Sequence, residues 1–123
     1  MKRIVIIGLD GVPYRLLKDL SEKGVMPHTQ SLITNVLFQK MESSLPEVSS
    51  VAWSSLITGR NPGEHGIFGF TDFVKGTYQF YFPNFSHLKA LPFWKRDNGK
   101  SAIINVPSTF PAAFPEEVTH APN

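Results

Sequence analysis

The sequence lacks cysteine altogether, and it has no long apolar run. With no cysteine among 123 residues, disulfides and thiolate metal sites are excluded, so we expect a reducing compartment and a cytoplasmic location. The apolar run that starts at Ile4 stops at Asp10. Such a run is too short for the core of a signal peptide or for a membrane span, and no membrane association is expected.

Charge is also scarce and evenly mixed. Twelve Lys and Arg residues stand against ten Asp and Glu residues, which gives a net charge of +2 with no block of like charge. A nucleic-acid polymer is therefore not an expected partner, because its phosphates require a basic stripe or patch. The length suits one ordinary domain, which can bury a core but has little room for many dispersed ligands.

What is present indicates an α/β fold. The β-branched run from Ile4 to Ile7 is typical of a strand buried on both faces of a parallel sheet. Segments 36–42 and 101–107 have a similar strand character, and segments 13–23, 27–34 and 91–97 have helical character. Aromatic segments 71–74 and 77–82, separated by Lys75 and Gly76, predict a small β-hairpin insertion.

The stretch from Leu45 to Gly59 organises the candidate site. A proline and small polar residues lead into an apolar pattern that suits a short helix, and Gly59 is placed to end it in the left-handed conformation. Ser49 therefore falls at or just before a helix N-terminus. A hydroxyl there is either an N-cap or a nucleophile, because the free N–H groups and the helix dipole favour an alkoxide and a phosphoryl oxygen.

Three further side chains have both a structural and a functional interpretation. Asp10 follows the first predicted strand, where it suits a hard cation as well as an Asx-turn or a helix cap. His65 lies in a turn-rich loop, either as a site residue or as a packed histidine that bonds the backbone. His28, at the start of the second predicted helix, is expected to be an exposed first-turn residue.

Several blocks of the sequence together resemble one family. Residues 4–12, 24–27, 45–53, 58–67, 92–94 and 104–107 follow the order and spacing of the type I phosphodiesterase/nucleotide pyrophosphatase family of the alkaline phosphatase superfamily. The resemblance implies a three-layer α/β/α fold with a mainly parallel sheet. It also implies a hydrolase that holds two divalent metal ions and acts on a small phosphate ester, either a phosphodiester or a phosphomonoester.

The resemblance also implies roles for individual residues. Asp10 is similar to the first metal-binding aspartate of the family, and Ser49 stands where the family places a Ser or Thr that attacks phosphorus and binds a metal. Ser50 is the second choice of nucleophile, and its backbone N–H is expected to hold a phosphoryl oxygen. Asn105, in the last block, is a candidate substrate ligand. Zinc is the expected metal, with manganese and magnesium as alternatives.

Two departures from the family pattern matter. After His65-Gly66-Ile67 the chain continues Phe68-Gly69-Phe70, without the asparagine that binds the phosphoryl group in nucleotide pyrophosphatases, so a nucleotide substrate is not implied. The family also supplies most metal ligands far beyond this length, and the four histidines do not occupy matching positions. We therefore expect residues 1–123 to be the N-terminal part of one catalytic domain that is incomplete, and inactive, alone.

A second hypothesis belongs to a different class of protein. In it the chain is a non-catalytic α/β binding or interaction domain, Ser49 is an N-cap, and the aromatic hairpin is a contact surface. In either case a sheet that lacks some of its strands leaves an edge open, and such an edge offers a surface for self-association.

Overall fold

A computed structural model describes residues 3–96 and 99–112, in two compact units that divide between Glu42 and Ser43. The first unit contains helix α1, Tyr14–Glu22, and helix α2, Pro27–Asn35, which pack against each other. Pro13 precedes α1 with its φ at −69°, and Pro27 opens α2, because proline suits the first turn where its missing N–H costs nothing. Both predicted helices are confirmed.

The strands predicted for a parallel sheet are absent from the described residues. Segments 4–7, 36–42 and 101–107 contain no strand, so neither a parallel sheet nor its three-layer arrangement is seen there. The side chains of Ile4 and Ile7 are 86% and 81% exposed. Strand propensity alone does not make a strand, since the backbone groups must pair with a neighbouring segment. The apolar runs have strand composition but pair with no other described segment.

Within its described residues, the second unit contains two further helices, one hairpin and two 3₁₀ turns. Helix α3 is Ser49–Thr58, helix α4 is Pro62–His65, strands β1 and β2 are Asp72–Phe73 and Phe80–Tyr81, and the 3₁₀ turns are Phe85–His87 and Phe93–Lys95. The strands pair antiparallel, with Asp72 opposite Tyr81. The predicted hairpin is confirmed but shorter than its aromatic pattern indicated. In the predicted helix 91–97, the described residues 91–96 contain a 3₁₀ turn, and Asp97 lies outside the described residues.

A small core holds the second unit together. Ile57, Ile67, Phe85 and Leu88 are each at most 3% exposed, and Trp94 and Val106 pack against them. Helix α3 thus packs on segments that come from four later parts of the chain. Neither unit contains, in the part of the chain that is described, a helix long and apolar enough to cross a membrane.

Candidate active site

Helix α3 starts at Ser49, as the sequence predicted. Val48 occupies the N-cap position in extended conformation, with φ −124° and ψ 137°, and its side chain makes no capping hydrogen bond. The interpretation of Ser49 as the N-cap is therefore wrong, because the chain turns into the helix one residue earlier than that interpretation requires. Gly59 ends the helix at φ 60° and ψ 26°, which confirms the predicted left-handed stop.

The first turn of α3 combines two features that suit an anion. The N–H groups of Val51 and Ala52 both donate to the carbonyl oxygen of Val48, at 3.0 and 2.9 Å. The N–H of Ser50 precedes them, at the end where a helix has no acceptor of its own and where its dipole is positive. This turn contains no acidic residue. A phosphoryl oxygen near Ser50 would meet favourable charge.

The hydroxyl of Ser50 is buried and unsatisfied. The side chain is 4% exposed, and its Oγ has no hydrogen-bond partner among the described residues. A buried hydroxyl without a partner costs about 1–3 kcal/mol, so native structures keep few of them. The Ser50 hydroxyl, next to Ser49, is therefore still able to donate and to accept a hydrogen bond.

Asp10 and Asn105 lie elsewhere in the chain. Asp10 is exposed in a turn of the first unit and is followed by Gly11 at φ 67°, whereas Ser49 and Ser50 belong to the second unit. Asn105 is exposed with φ 52°, a left-handed conformation that asparagine tolerates better than most residues. The structure brings Ser49 and Ser50 together on one helical turn.

The described residues do not complete a metal site. They contain no group of three or more His, Cys, Asp or Glu side chains that could hold an ion. A zinc ion takes four ligands, and magnesium or manganese takes about six. Asp10 and Ser49 offer hard oxygen atoms that suit such ions, but only as members of a larger ligand set.

His65 is a packed histidine, which confirms one of its two predicted interpretations. Its side chain is completely buried, its Nδ1 accepts the N–H of Ile67 at 3.1 Å, and its Nε2 lies 3.0 Å from Ser55 Oγ. Burial lowers the pKa of His65, and the nearby Glu64 carboxylate opposes this only in part. The bond to Ser55 was not foreseen, and no periodicity links positions 55 and 65. His28 is exposed, as predicted.

The loop after α3 has more structure than its turn-rich composition indicated. Asn61 Oδ1 accepts the N–H of Glu64 at 3.2 Å, and the Glu64 carboxylate accepts the N–H of Asn61 at 3.2 Å, which makes a capping box. Proline at the first position of α4 completes a helix start. The pattern Asn-Pro-Gly-Glu contains this signal, because an N-cap residue followed three positions later by Glu is typical of a capping box.

Arg96 forms a hydrogen bond at the C-terminal end of α3. Its guanidinium donates to the carbonyl oxygen of Thr58, in the last turn of the helix, and to that of Leu91 at 3.0 Å. A cation at a helix C-terminus is favourable because the dipole is negative there. The bond to Thr58 joins positions 38 residues apart, and no local sequence pattern indicates such a contact.

The aromatic side chains of the hairpin lie largely at the surface. The rings of Phe73 and Phe80 are 4.3 Å apart at their centroids, yet these residues are 50% and 66% exposed, and Tyr78 is 97% exposed. The hairpin thus packs Phe73 against Phe80 while about half or more of each residue faces solvent. Beside it, Tyr81 donates to Asp72 Oδ2 at 3.3 Å and lines a shallow groove.

Gly66 offers a direct test of the geometry around His65. It adopts φ 78°, and a Cβ on it would lie 2.8 Å from Lys89 Cδ. Gly76 has the same φ of 78° with nothing within 4 Å. We expect Gly76→Ala to lower the free energy of unfolding by about 1 kcal/mol and Gly66→Ala to lower it by up to about 1 kcal/mol more, because Lys89 must also move.

Chemical denaturation of the two variants measures this difference. The matched control is Lys89→Ala, which removes the side chain that crosses Gly66. In the Lys89→Ala background, Gly66→Ala and Gly76→Ala should lower the free energy of unfolding equally, because only the cost of the left-handed backbone conformation remains. A difference that persists without the Lys89 side chain would contradict the proposed contact.

Comparison with known proteins gives one finding. A family model described as type I phosphodiesterase / nucleotide pyrophosphatase matches residues 4–113, which include Asp10, Ser49, Ser50 and Asn105. A search of curated proteins and a search of solved structures found no match.

Proposed function

Because the chain belongs to the type I phosphodiesterase/nucleotide pyrophosphatase family, we propose that it supplies the nucleophile of a metal-dependent phosphoester hydrolase. A hydrolase-type function follows from the family in general. Ser49 is the proposed nucleophile, and Ser50 is the second choice. The observation that supports this assignment is the first turn of α3, where Ser49 begins the helix and the buried Ser50 hydroxyl has no hydrogen-bond partner among the described residues.

The proposed reaction proceeds in two displacements at phosphorus. In the first, Ser49 Oγ forms a bond to phosphorus as the bond to the ester oxygen breaks, and the departing alcohol takes up a proton equivalent to the one that Ser49 loses. In the second, water replaces Ser49 and releases phosphate or a phosphomonoester. The N–H of Ser50 and the positive end of α3 stabilise the charge on the phosphoryl oxygens.

Asp10 and Ser49 are the residues of this chain that would ligate metal. We propose two divalent ions, zinc in the first place and manganese or magnesium as alternatives. When bound, such ions supply Lewis acidity that makes a serine hydroxyl a better nucleophile and offsets charge on both oxygens of an in-line displacement. Two oxygen donors are too few for two ions, so we propose that the other ligands come from residues outside this sequence.

This ligand requirement leads to a proposal about the domain. Residues 1–123 would form the N-terminal part of one alkaline phosphatase-like catalytic domain of three layers, and would be inactive alone. The exposed Ile4–Ile7 run supports the proposal, because it has the composition of a strand that a parallel sheet buries on both faces. The substrate would be a small phosphate ester, Asn105 would contact it, and the enzyme would be cytoplasmic with no membrane or nucleic-acid partner.

The hairpin supports a second candidate function. Tyr78, Phe80 and Phe82 are 97%, 66% and 74% exposed, and aromatic residues are enriched in the buried centres of protein interfaces. In this alternative the chain is a non-catalytic interaction domain, and an open strand edge or the hairpin mediates self-association or partner binding.

Trapping of a phosphoryl-enzyme distinguishes the two candidates. The complete protein is mixed with bis-p-nitrophenyl phosphate and Zn²⁺, Mn²⁺ or Mg²⁺, quenched in acid, digested and analysed by mass spectrometry. We expect metal-dependent release of one nitrophenol and a Ser49 that carries the remaining nitrophenylphosphoryl group, with no label when a chelator is present. A label on Ser50 would identify Ser50, the second choice, as the nucleophile. The absence of both turnover and label would favour the interaction domain.

A further inference from the structure

The His65 side chain joins segments that are distant in the sequence. Through Nε2 it contacts Ser55 Oγ on α3 at 3.0 Å, and through Nδ1 it accepts the N–H of Ile67 at 3.1 Å. Its backbone carbonyl accepts the N–H of Lys89 at 3.0 Å. Helix α3, the turn after α4 and the segment that follows the first 3₁₀ turn therefore all bond one residue, which is fully buried.

The bond to Ile67 determines where the proton of the ring lies. A backbone N–H can only donate, so Nδ1 must be unprotonated to accept it, and the neutral imidazole then carries its proton on Nε2. That proton is directed at Ser55 Oγ. A second proton would have to add to Nδ1 and would oppose the N–H of Ile67. Protonation of the His65 ring thus replaces the hydrogen bond from Ile67 with two N–H donors, at Nδ1 and at Ile67, that face each other.

We propose that His65, held in the Nε2–H tautomer, is a positioning residue that fixes helix α3 against Ile67 and the Lys89 segment. Ser55 and the start of α3 are on one continuous helix, six residues and about 9 Å apart along its axis. Whatever fixes Ser55 therefore also fixes the turn that bears Ser49. The consequence for catalysis rests on the function proposed above, whereas the fixing of the helix does not.

Few charged groups surround the ring. Helix α3 has no ionisable residue from Ser49 to Thr58. On α4, the carboxylate of Glu64 favours the charged ring, but it is exposed and paired with Arg60 Nη1 at 3.0 Å. From the third segment comes Lys89, whose side-chain carbons pass over Gly66.

The sign of the pH effect follows from burial, which lowers the pKa of His65 below its usual value of about 6.5. The unfolded chain then binds a proton more readily than the folded one. The contribution of His65 to stability is complete above pH about 6.5 and is lost as the pH falls toward the pKa in the folded protein. Loss of the fixed arrangement is expected on the acid side only.

Two measurements on the complete protein test the proposal. Long-range ¹H–¹⁵N correlation spectra of the wild type should show Nε2 protonated and Nδ1 as an acceptor at neutral pH, with a titration midpoint below about 6.5. Denaturant unfolding from pH 4.5 to 8 should give the folding constants of the wild type and of His65→Gln. Below pH about 6.5, the ratio of the wild-type constant to that of His65→Gln should fall by up to about tenfold per pH unit. Gln keeps a donor near Ser55 and does not titrate.

Matched variants complete the test. Ser55→Ala should lower the folding constant about tenfold at every pH, because the buried Nε2–H loses its acceptor. His28→Gln, on the exposed surface of α2, should reproduce the wild-type pH curve. In hydrolysis of bis-p-nitrophenyl phosphate, His65→Ala should lower kcat more than it alters KM, and His65→Gln should restore part of the loss.

The outcomes separate this inference from the proposed function. An Nδ1–H tautomer, a midpoint at or above that of free histidine, or identical pH curves for wild type and His65→Gln would each overturn the positioning role. The tautomer measurement needs no variant, so it decides even if the substitutions prevent folding. A wild type that shows the expected tautomer and pH curve but no hydrolysis would support the inference and contradict only the proposed function.

Discussion

Ser49→Ala is expected to abolish metal-dependent phosphoester hydrolysis by the complete protein. The proposed reaction forms its first bond through Ser49 Oγ, and loss of a nucleophile lowers kcat by about 10⁴-fold or more in hydrolases that form a covalent intermediate. Stability should change by less than about 0.5 kcal/mol, because Val48 and not Ser49 holds the N-cap position, where loss of a capping hydroxyl typically costs about 1 kcal/mol. Steady-state kinetics and denaturant unfolding of the same preparation measure both quantities.

Substitutions at the same turn provide the controls. Ser49→Thr keeps a hydroxyl and should retain a measurable share of the activity, while Ser50→Ala keeps the backbone N–H and should retain most of it. If Ser50→Ala is the inactive variant, Ser50 is the nucleophile. A Ser49→Ala variant that keeps full activity would refute the assignment of Ser49 as the nucleophile.

Phe85→Ala is expected to cause the largest loss of stability in the second unit. Phe85 is 3% exposed, lies in the core cluster with Ile57, Ile67 and Leu88, and has its ring centroid 6.4 Å from that of Trp94. Truncation of a buried phenylalanine removes apolar contact and leaves a cavity, which costs about 3–5 kcal/mol. Such a loss is a large part of the roughly 5–15 kcal/mol by which a typical domain is stable.

Phe82→Ala is the matched control. Phe82 is 74% exposed and three residues away, so the same change should cost less than about 0.5 kcal/mol. Urea unfolding monitored by the fluorescence of Trp53 and Trp94 compares the two variants. Equal costs would mean that the cluster around Phe85 is not the core that holds α3.

Local signals explain which elements could be predicted. Pro13, Pro27 and Gly59 mark the ends of helices through backbone conformations that depend on the residue itself, and the helices they delimit are confirmed. The hairpin is likewise fixed by a local turn at Lys75 and Gly76. The prediction of strands for a parallel sheet is wrong, because a strand depends on a partner segment, and Ile4–Ile7 pairs with none of the described residues.

The candidate site likewise has features that the local sequence indicates and contacts that it does not. The position of Ser49 at the start of α3 follows from local pattern, and the family assignment from the resemblance is confirmed by a match over residues 4–113. The capping box at Asn61 could have been found from its spacing. The contacts of His65 with the Ser55 side chain and of Arg96 with the Thr58 carbonyl oxygen could not, because they join positions 10 and 38 residues apart with no repeating pattern.

The composition of the core sets an order of events during synthesis. Ile57 belongs to α3, but the side chains that cover it extend to Trp94 and Val106. As the chain leaves the ribosome, α3 is made long before most of its partners, and a ten-residue helix is marginal in water without tertiary contacts. The turn that bears Ser49 therefore acquires its lasting geometry only after residue 106 has emerged, so a nascent chain stalled before that point would carry these serines on an unformed helix.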